Sequence, residues 1–202
     1  MPRSRSRLFQ QLCNDAARCR ACQRMASRRA VLGPLNGTLT PKVLFIGEAP
    51  GRLGADRSRR PFNGDASGRN FETLLASVRL SREEVFITNA VLCCPADDQR
   101  NNPPIAAEIR SCLPFLQRTI ELLRPPIVVT IGTVAMRAVT RLASRALHPA
   151  LGARLSDVAG RTIDCGTFRW LPLYHPSPRV LHTVRTLAQQ RADFDILSDL
   201  VD

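Results

Sequence analysis

Four short apolar runs, separated by stretches of helical periodicity, restrict this chain more than any other feature. They are Val43-Leu44-Phe45-Ile46, Val85-Phe86-Ile87-Thr88, Ile127-Val128-Val129-Thr130-Ile131 and Trp170 to Tyr174. A strand that is apolar on both faces must be covered on both faces, which is the condition of a parallel sheet between helices. The intervening segments supply those helices. Residues 66–78 place Phe71, Leu74, Leu75 and Val78 on one face, and Ile109, Cys112, Leu113, Leu116, Ile120 and Leu123 recur at helical spacing. Asn102 can cap that second helix, with Pro103 and Pro104 in its first turn. Further helices are read over 5–18, from Gly132 to about Leu142, and from about Val180 to Leu200. The expected fold is α/β: three layers, a short four-stranded parallel sheet flanked by helices, joined by right-handed crossovers. The 202 residues are enough for one domain, 1–202, with a real core. Residues 144–166 carry the weakest signal.

Open α/β sheets place their chemistry in loops at the carboxyl ends of strands. Gly47-Glu48-Ala49-Pro50-Gly51 follows the first run, and His175-Pro176-Ser177-Pro178-Arg179 follows the fourth. Glycines permit a sharp turn there, and backbone N–H groups of such a turn can cradle an oxygen-rich ligand. Residues 52–64 form a polar, glycine-rich loop that ends on Phe62, an aromatic face, and is followed by Asp65 at a helix start. Asp65 reads as a helix cap, as a working carboxylate, or as both. Asn89 stands at a strand end, where its amide offers one donor and one acceptor edge or simply caps a loop. His175 sits in a proline-framed loop, a functional context; His148 and His182 have weaker contexts and read as structural.

Cys19 and Cys22 form a C-x-x-C at the end of a helix; Cys93 follows a strand and Cys112 lies inside the next helix. A C-x-x-C turn lets two thiolates address one metal centre. Spacing leaves zinc and an iron–sulfur cluster both open. Cys13, Cys94 and Cys165 read as small buried residues, although Cys94 adjoins Cys93 and competes with it as the third ligand.

The formal charge is +12, and Lys42 is the only lysine. A basic excess of this size attracts polyanions, nucleic acid first. No apolar run reaches the ~20 residues of a membrane span. The basic Met1 to Arg7 is not followed by an apolar stretch, so no secretory signal is read, and an intracellular, cytoplasmic and nucleoid-associated monomer is expected. Seven cysteines without a signal point to metal rather than to disulfides.

Taken in order, these motifs resemble the iron–sulfur branch, families 4 and 5, of the uracil-DNA glycosylase superfamily, over roughly residues 12–200. Gly47 to Gly51 resembles family 4 motif one, whereas Gly51 to Gly68 is more similar to family 5. Thr88-Asn89 followed by Cys93 resembles family 4, and His175-Pro176-Ser177-Pro178 resembles the second glycosylase motif. The resemblance implies a [4Fe–4S] cluster on Cys19, Cys22, Cys93 and Cys112. It implies excision of uracil from DNA, with breadth toward hypoxanthine or other deaminated bases suggested by the family 5-like loop. Base contacts would come from Asn89, Phe62, Ala49 and Gly47, with His175 stabilising the departing base. Asp65 or Glu48 would position water or balance the sugar's positive charge, and because the chain combines two family patterns both carboxylates stay in play. Ser177 would hold a phosphate, while Arg179 and Leu181 would fill the space the base leaves. The competing class is an iron–sulfur protein that binds damaged DNA without cutting it. A zinc base deaminase is excluded, because the chain lacks the H-x-E and P-C-x-x-C signature.

Overall fold

The computed structural model describes residues 2–97, 99–142 and 153–201. The apolar runs are strands: β1 (Val43–Gly47), β2 (Val85–Asn89), β3 (Ile127–Ile131) and, after a two-residue β4 (Ile163–Asp164), β5 (Arg169–Leu173). Their order in the sheet is β2-β1-β3-β5-β4. The first four in that order are parallel, with Val43 beside both Val85 and Ile127, and Ile127 beside Arg169. Only β4 is antiparallel, pairing Ile163 with Trp170 at the edge. The expected four parallel strands are therefore present, and β4 is the addition.

Strand side chains alternate between two layers. Leu44, Ile46, Phe86, Val128 and Trp170 pack with α1 (Pro2–Arg18), α4 (Ala106–Leu123) and α5 (Thr133–Leu142). Phe45, Ile87, Val129 and Leu171 pack with α3 (Ala66–Ser77) and α8 (Leu187–Val201). Burial on both sides explains the unbroken apolar strands. Trp170 is fully buried and satisfies its indole N–H by donating to Thr130 Oγ1 at 2.9 Å.

Three expectations about helices change. α4 starts at Ala106 rather than at the prolines, because Glu108 accepts from the Ile105 N–H at 2.9 Å and closes the first turn. Asn102 instead donates to Asp97 at 3.0 Å. The expected final helix is two, α7 (Pro178–Thr183) and α8, because Thr186 and Gln189 cap a new start by reciprocal bonds. The loop over 52–64 contains one helical turn, α2 (Ala55–Ser58), and α6 (Leu155–Val158) follows α5.

Candidate functional site

The sheet order reverses direction at β1, whose neighbours are β2 on one side and β3 on the other. Beyond the carboxyl ends of the strands lies a cleft of about 430 Å³. Glu48, Ala49, Phe62, Asp65, Asn89, His175, Ser177 and Arg179 all line it, so most of the sequence-predicted residues converge on one place. Gly47 and Leu181 are not among its lining residues.

Gly47 acts by what it lacks. A Cβ there would stand 2.5 Å from Asn89 Oδ1 and 3.2 Å from the Phe62 ring. Its absence lets the amide and the aromatic ring close in on the end of β1. Phe62 holds φ +47, left-handed for an aromatic residue and a strain of about 1–3 kcal/mol. Arg82 holds that turn, donating from Nη1 to Pro61 O at 2.9 Å and from Nη2 to Phe62 O at 2.7 Å. The Phe62 ring stacks on buried Phe71 at 4.5 Å and meets His175 at 5.6 Å.

Asp65 is the N-cap of α3 and accepts from the Gly68 N–H through Oδ1 at 2.8 Å. Its other oxygen faces Gly54, where a Cβ would stand 2.5 Å from Oδ2. One oxygen caps and the other is left to the cleft. Glu48 is half-buried, and burial raises its carboxyl pKa. Burial pushes the His175 imidazole down to about 4, with Asp65's charge opposing the shift. His175 is therefore neutral at physiological pH and has one N–H to give. Its loop is pinned from both sides: Asn70 donates to Pro176 O at 2.9 Å and Gln190 donates to His175 O at 3.3 Å. Ser177 caps α7, its Oγ accepting from the Val180 N–H at 3.4 Å. His182 is exposed on α7, and His148 lies outside the described residues.

Sequence reasoning missed part of the rim. Pro95, Asn101 and Asn102 also line the cleft, and Asn101 Oδ1 accepts from the Arg52 N–H at 2.8 Å. The clustered Asn101-Asn102 ahead of two prolines was the available signal.

A second, small cavity of about 20 Å³ is lined by Cys19, Cys22, Cys93 and Cys112, with Met25, Leu92 and Phe115. Burial, then the neighbouring cysteines, raise Cys93 to about 12; burial likewise raises Cys112 to about 11. Cys94 is fully buried but does not line this cavity; its electrostatic neighbours are Asp56 and Arg28. Among the described residues, no three His, Cys, Asp or Glu side chains are placed to hold one metal ion. Arginines tie the segment after the cysteine-bearing turn to α4, to α2 and to the loop after β2. Arg24 forms a two-pronged pair with Glu108 at 2.9 and 2.7 Å, Arg28 donates to Asp56 at 3.3 Å and to Ala96 O at 3.1 Å, and Arg59 donates to Arg29 O at 3.0 Å. No helix of the described residues is long and apolar enough to cross a membrane.

A type-5 uracil-DNA glycosylase of Pyrobaculum aerophilum is 30% identical over 89% of this chain and 87% of its own length. A type-4 uracil-DNA glycosylase of Archaeoglobus fulgidus is 30% identical over 90% and 87% of the two chains, and one of Thermotoga maritima is 30% identical over 86% and 84%. The profile of the Uracil DNA glycosylase superfamily matches residues 34–197, which contain every cleft residue named above. With that match joined to a parallel sheet whose carboxyl ends gather these side chains, the chain belongs to the uracil-DNA glycosylase superfamily.

Proposed function

We propose that this chain, acting as a single-domain monomer, hydrolyses the bond between uracil and deoxyribose in DNA, without itself cutting the strand. The observation that carries the reading is the convergence of Asn89, Phe62, Asp65 and His175 on one cleft. A uracil turned out of the stack costs roughly a few kcal/mol in lost stacking and pairing. Stacking on Phe62 would return ~1–3 kcal/mol of this. The Asn89 amide complements O4 and N3–H of the base. As the N-glycosidic bond breaks, its electron pair passes to the base and charge gathers on O2. A neutral His175 donates to that oxygen from a site made ready by its two helix anchors. The sugar becomes positive at C1′, where the free oxygen of Asp65 supplies negative charge and orients water. Water's oxygen joins C1′, one of its protons leaves to solvent, and the uracil anion takes up a proton after departure. Ala49 lines the same cleft beside Glu48, and Ser177 has a hydroxyl hydrogen left for a flanking phosphate. Arg179 is exposed at the rim, and with Leu181 on the same short helix it would fill the vacated stack.

The donor set of four cysteines fits an iron–sulfur cluster. The four line one cavity together, which suits a cluster held by four thiolates. We assign Cys19, Cys22, Cys93 and Cys112 as ligands of a [4Fe–4S] cluster. Bound there, the cluster supplies a covalent tie between the end of α1, the segment after β2, and α4.

The test is incubation with a uracil-containing oligonucleotide followed by alkali. Cleavage only after alkali supports hydrolysis without strand cutting. An intact oligonucleotide, with DNA bound, supports the non-catalytic damage binder instead.

A further inference from the structure

A second groove, of about 570 Å³, runs between α5 and α6, and Arg137, Arg141 and Arg154 line it. All three are exposed, and none forms an ion pair or side-chain hydrogen bond among the described residues. The sequence between them offers no carboxylate: residues 137–154 contain neither Asp nor Glu. The nearest acid in sequence, Asp157, is occupied locally, accepting from the Arg154 N–H at 3.0 Å and from Ser156 Oγ at 3.0 Å. Elsewhere many arginines are matched, as with Arg24 and Glu108, Arg82 and Glu72, or Arg185 and Asp193. Unmatched guanidinium groups facing one groove are a site for an extended anion.

The groove begins near the active-site cleft. It starts at Thr133, one residue after Gly132, and a Cβ at Gly132 would stand 3.5 Å from His175 Cβ. Arg137 and Arg141 are one turn apart on α5, about 6 Å along its axis. Each DNA strand presents a phosphate about every 3.4 Å of duplex axis, so the two guanidinium groups span roughly two phosphate intervals of one strand. From the run of unmatched charge and its start beside the cleft, we propose that the α5–α6 groove binds the phosphate backbone of duplex DNA beyond the nucleotide in the cleft. The inference rests on the reading of the chain as a DNA-acting enzyme. It assigns these arginines to affinity for long duplex and not to bond cleavage.

The test compares wild type with the triple variant Arg137→Ala, Arg141→Ala, Arg154→Ala. Binding to a uracil-free duplex of about thirty base pairs is titrated against salt, and excision is timed on a short uracil-containing single strand at saturating enzyme. Each phosphate that an arginine neutralises adds about 0.9 to the steepness of the log–log salt dependence. If the triple variant neutralises three phosphates fewer, wild-type affinity should fall about 40-fold more than the variant's between 50 and 200 mM salt. Short-strand excision should be unchanged, which also shows that the variant folds. Arg118→Ala, whose charge Asp15 already matches at 2.8 Å, should keep the wild-type slope. An unaltered slope in the triple variant, with normal excision by wild type, would overturn the groove. A wild type that leaves uracil in place, while the triple variant still shows the shallower slope, would sink the glycosylase reading and keep the groove.

Discussion

The cleft and the cysteine cavity are built on opposite terms. The cleft holds about 430 Å³, opens at the sheet's carboxyl ends and is lined by Glu48, Asp65, Asn89 and His175. Its polar groups are fixed by neighbours that are themselves packed: Phe62 rests on Phe71, and Asn70 and Gln190 grip the His175 loop. The cysteine cavity holds about 20 Å³, and its thiols lie among Met25, Leu92 and Phe115. Burial pushes Cys93 and Cys112 up to about 12 and 11, so without a metal these two thiols stay protonated. The comparison teaches that the protein's own packing preorganises the cleft, whereas the cavity would become a fixed joint only with the proposed cluster bound. The two regions meet in one segment, where Cys93 faces the cavity while Pro95, Asn101 and Asn102 face the cleft.

The largest effect falls on the cavity. Cys93→Ser should abolish the brown colour and the broad absorbance near ~400 nm that iron–sulfur centres show, whereas Cys94→Ser should keep both. Stoichiometric zinc in a colourless wild type would remove the cluster. The next effect isolates the cleft: His175→Ala should slow excision ~10²–10³-fold, measured in single turnover, without changing iron content. If iron is lost as well, the two regions are not separable in the way their packing indicates.

Asn89→Asp sharpens the pocket. Replacing the amide donor with an acceptor should weaken uracil excision and favour a base with an exocyclic amine, such as cytosine, since a polar pocket rejects bases that leave its groups unpaired. Full uracil activity with no gain on cytosine would show that Asn89 does not read the base edge. The smallest effect is on stability. The folded His175 titrates near 4 and an unfolded histidine near 6.5, so between these values the unfolded state binds more protons. Thermal stability should therefore fall as pH drops from about 6.5 to about 4, and His175→Asn should flatten part of that decline. An unchanged slope in the variant would mean that burial does not hold the imidazole neutral.

How much of this was legible in the sequence depends on where the signal resides. Strands β1, β2, β3 and β5 were readable because burial on both faces leaves apolar runs. β4 was not, because Ile163 is half-buried, Asp164 is exposed, and only pairing with β5 defines them. The break between α7 and α8 was hidden by continuous helical periodicity, although the capping pattern Thr186-x-x-Gln189 was there to be read. In the cleft, residues in strand-end motifs were found. Asn70, Arg82 and Gln190 were not, since they act on backbone carbonyls far away in sequence and carry no local pattern.

The central proposal is that the carboxylate opposite neutral His175, at the start of α3, drives bond cleavage. The direct measurement is single-turnover uracil excision by Asp65→Asn beside Glu48→Gln, with DNA binding measured on the same preparations. Each substitution removes charge with little change of shape. Asp65→Asn is predicted to lose most of the rate while still binding DNA, and Glu48→Gln to stay near wild type. An active Asp65→Asn beside an inactive Glu48→Gln would contradict this and move the chemistry to the half-buried glutamate after β1.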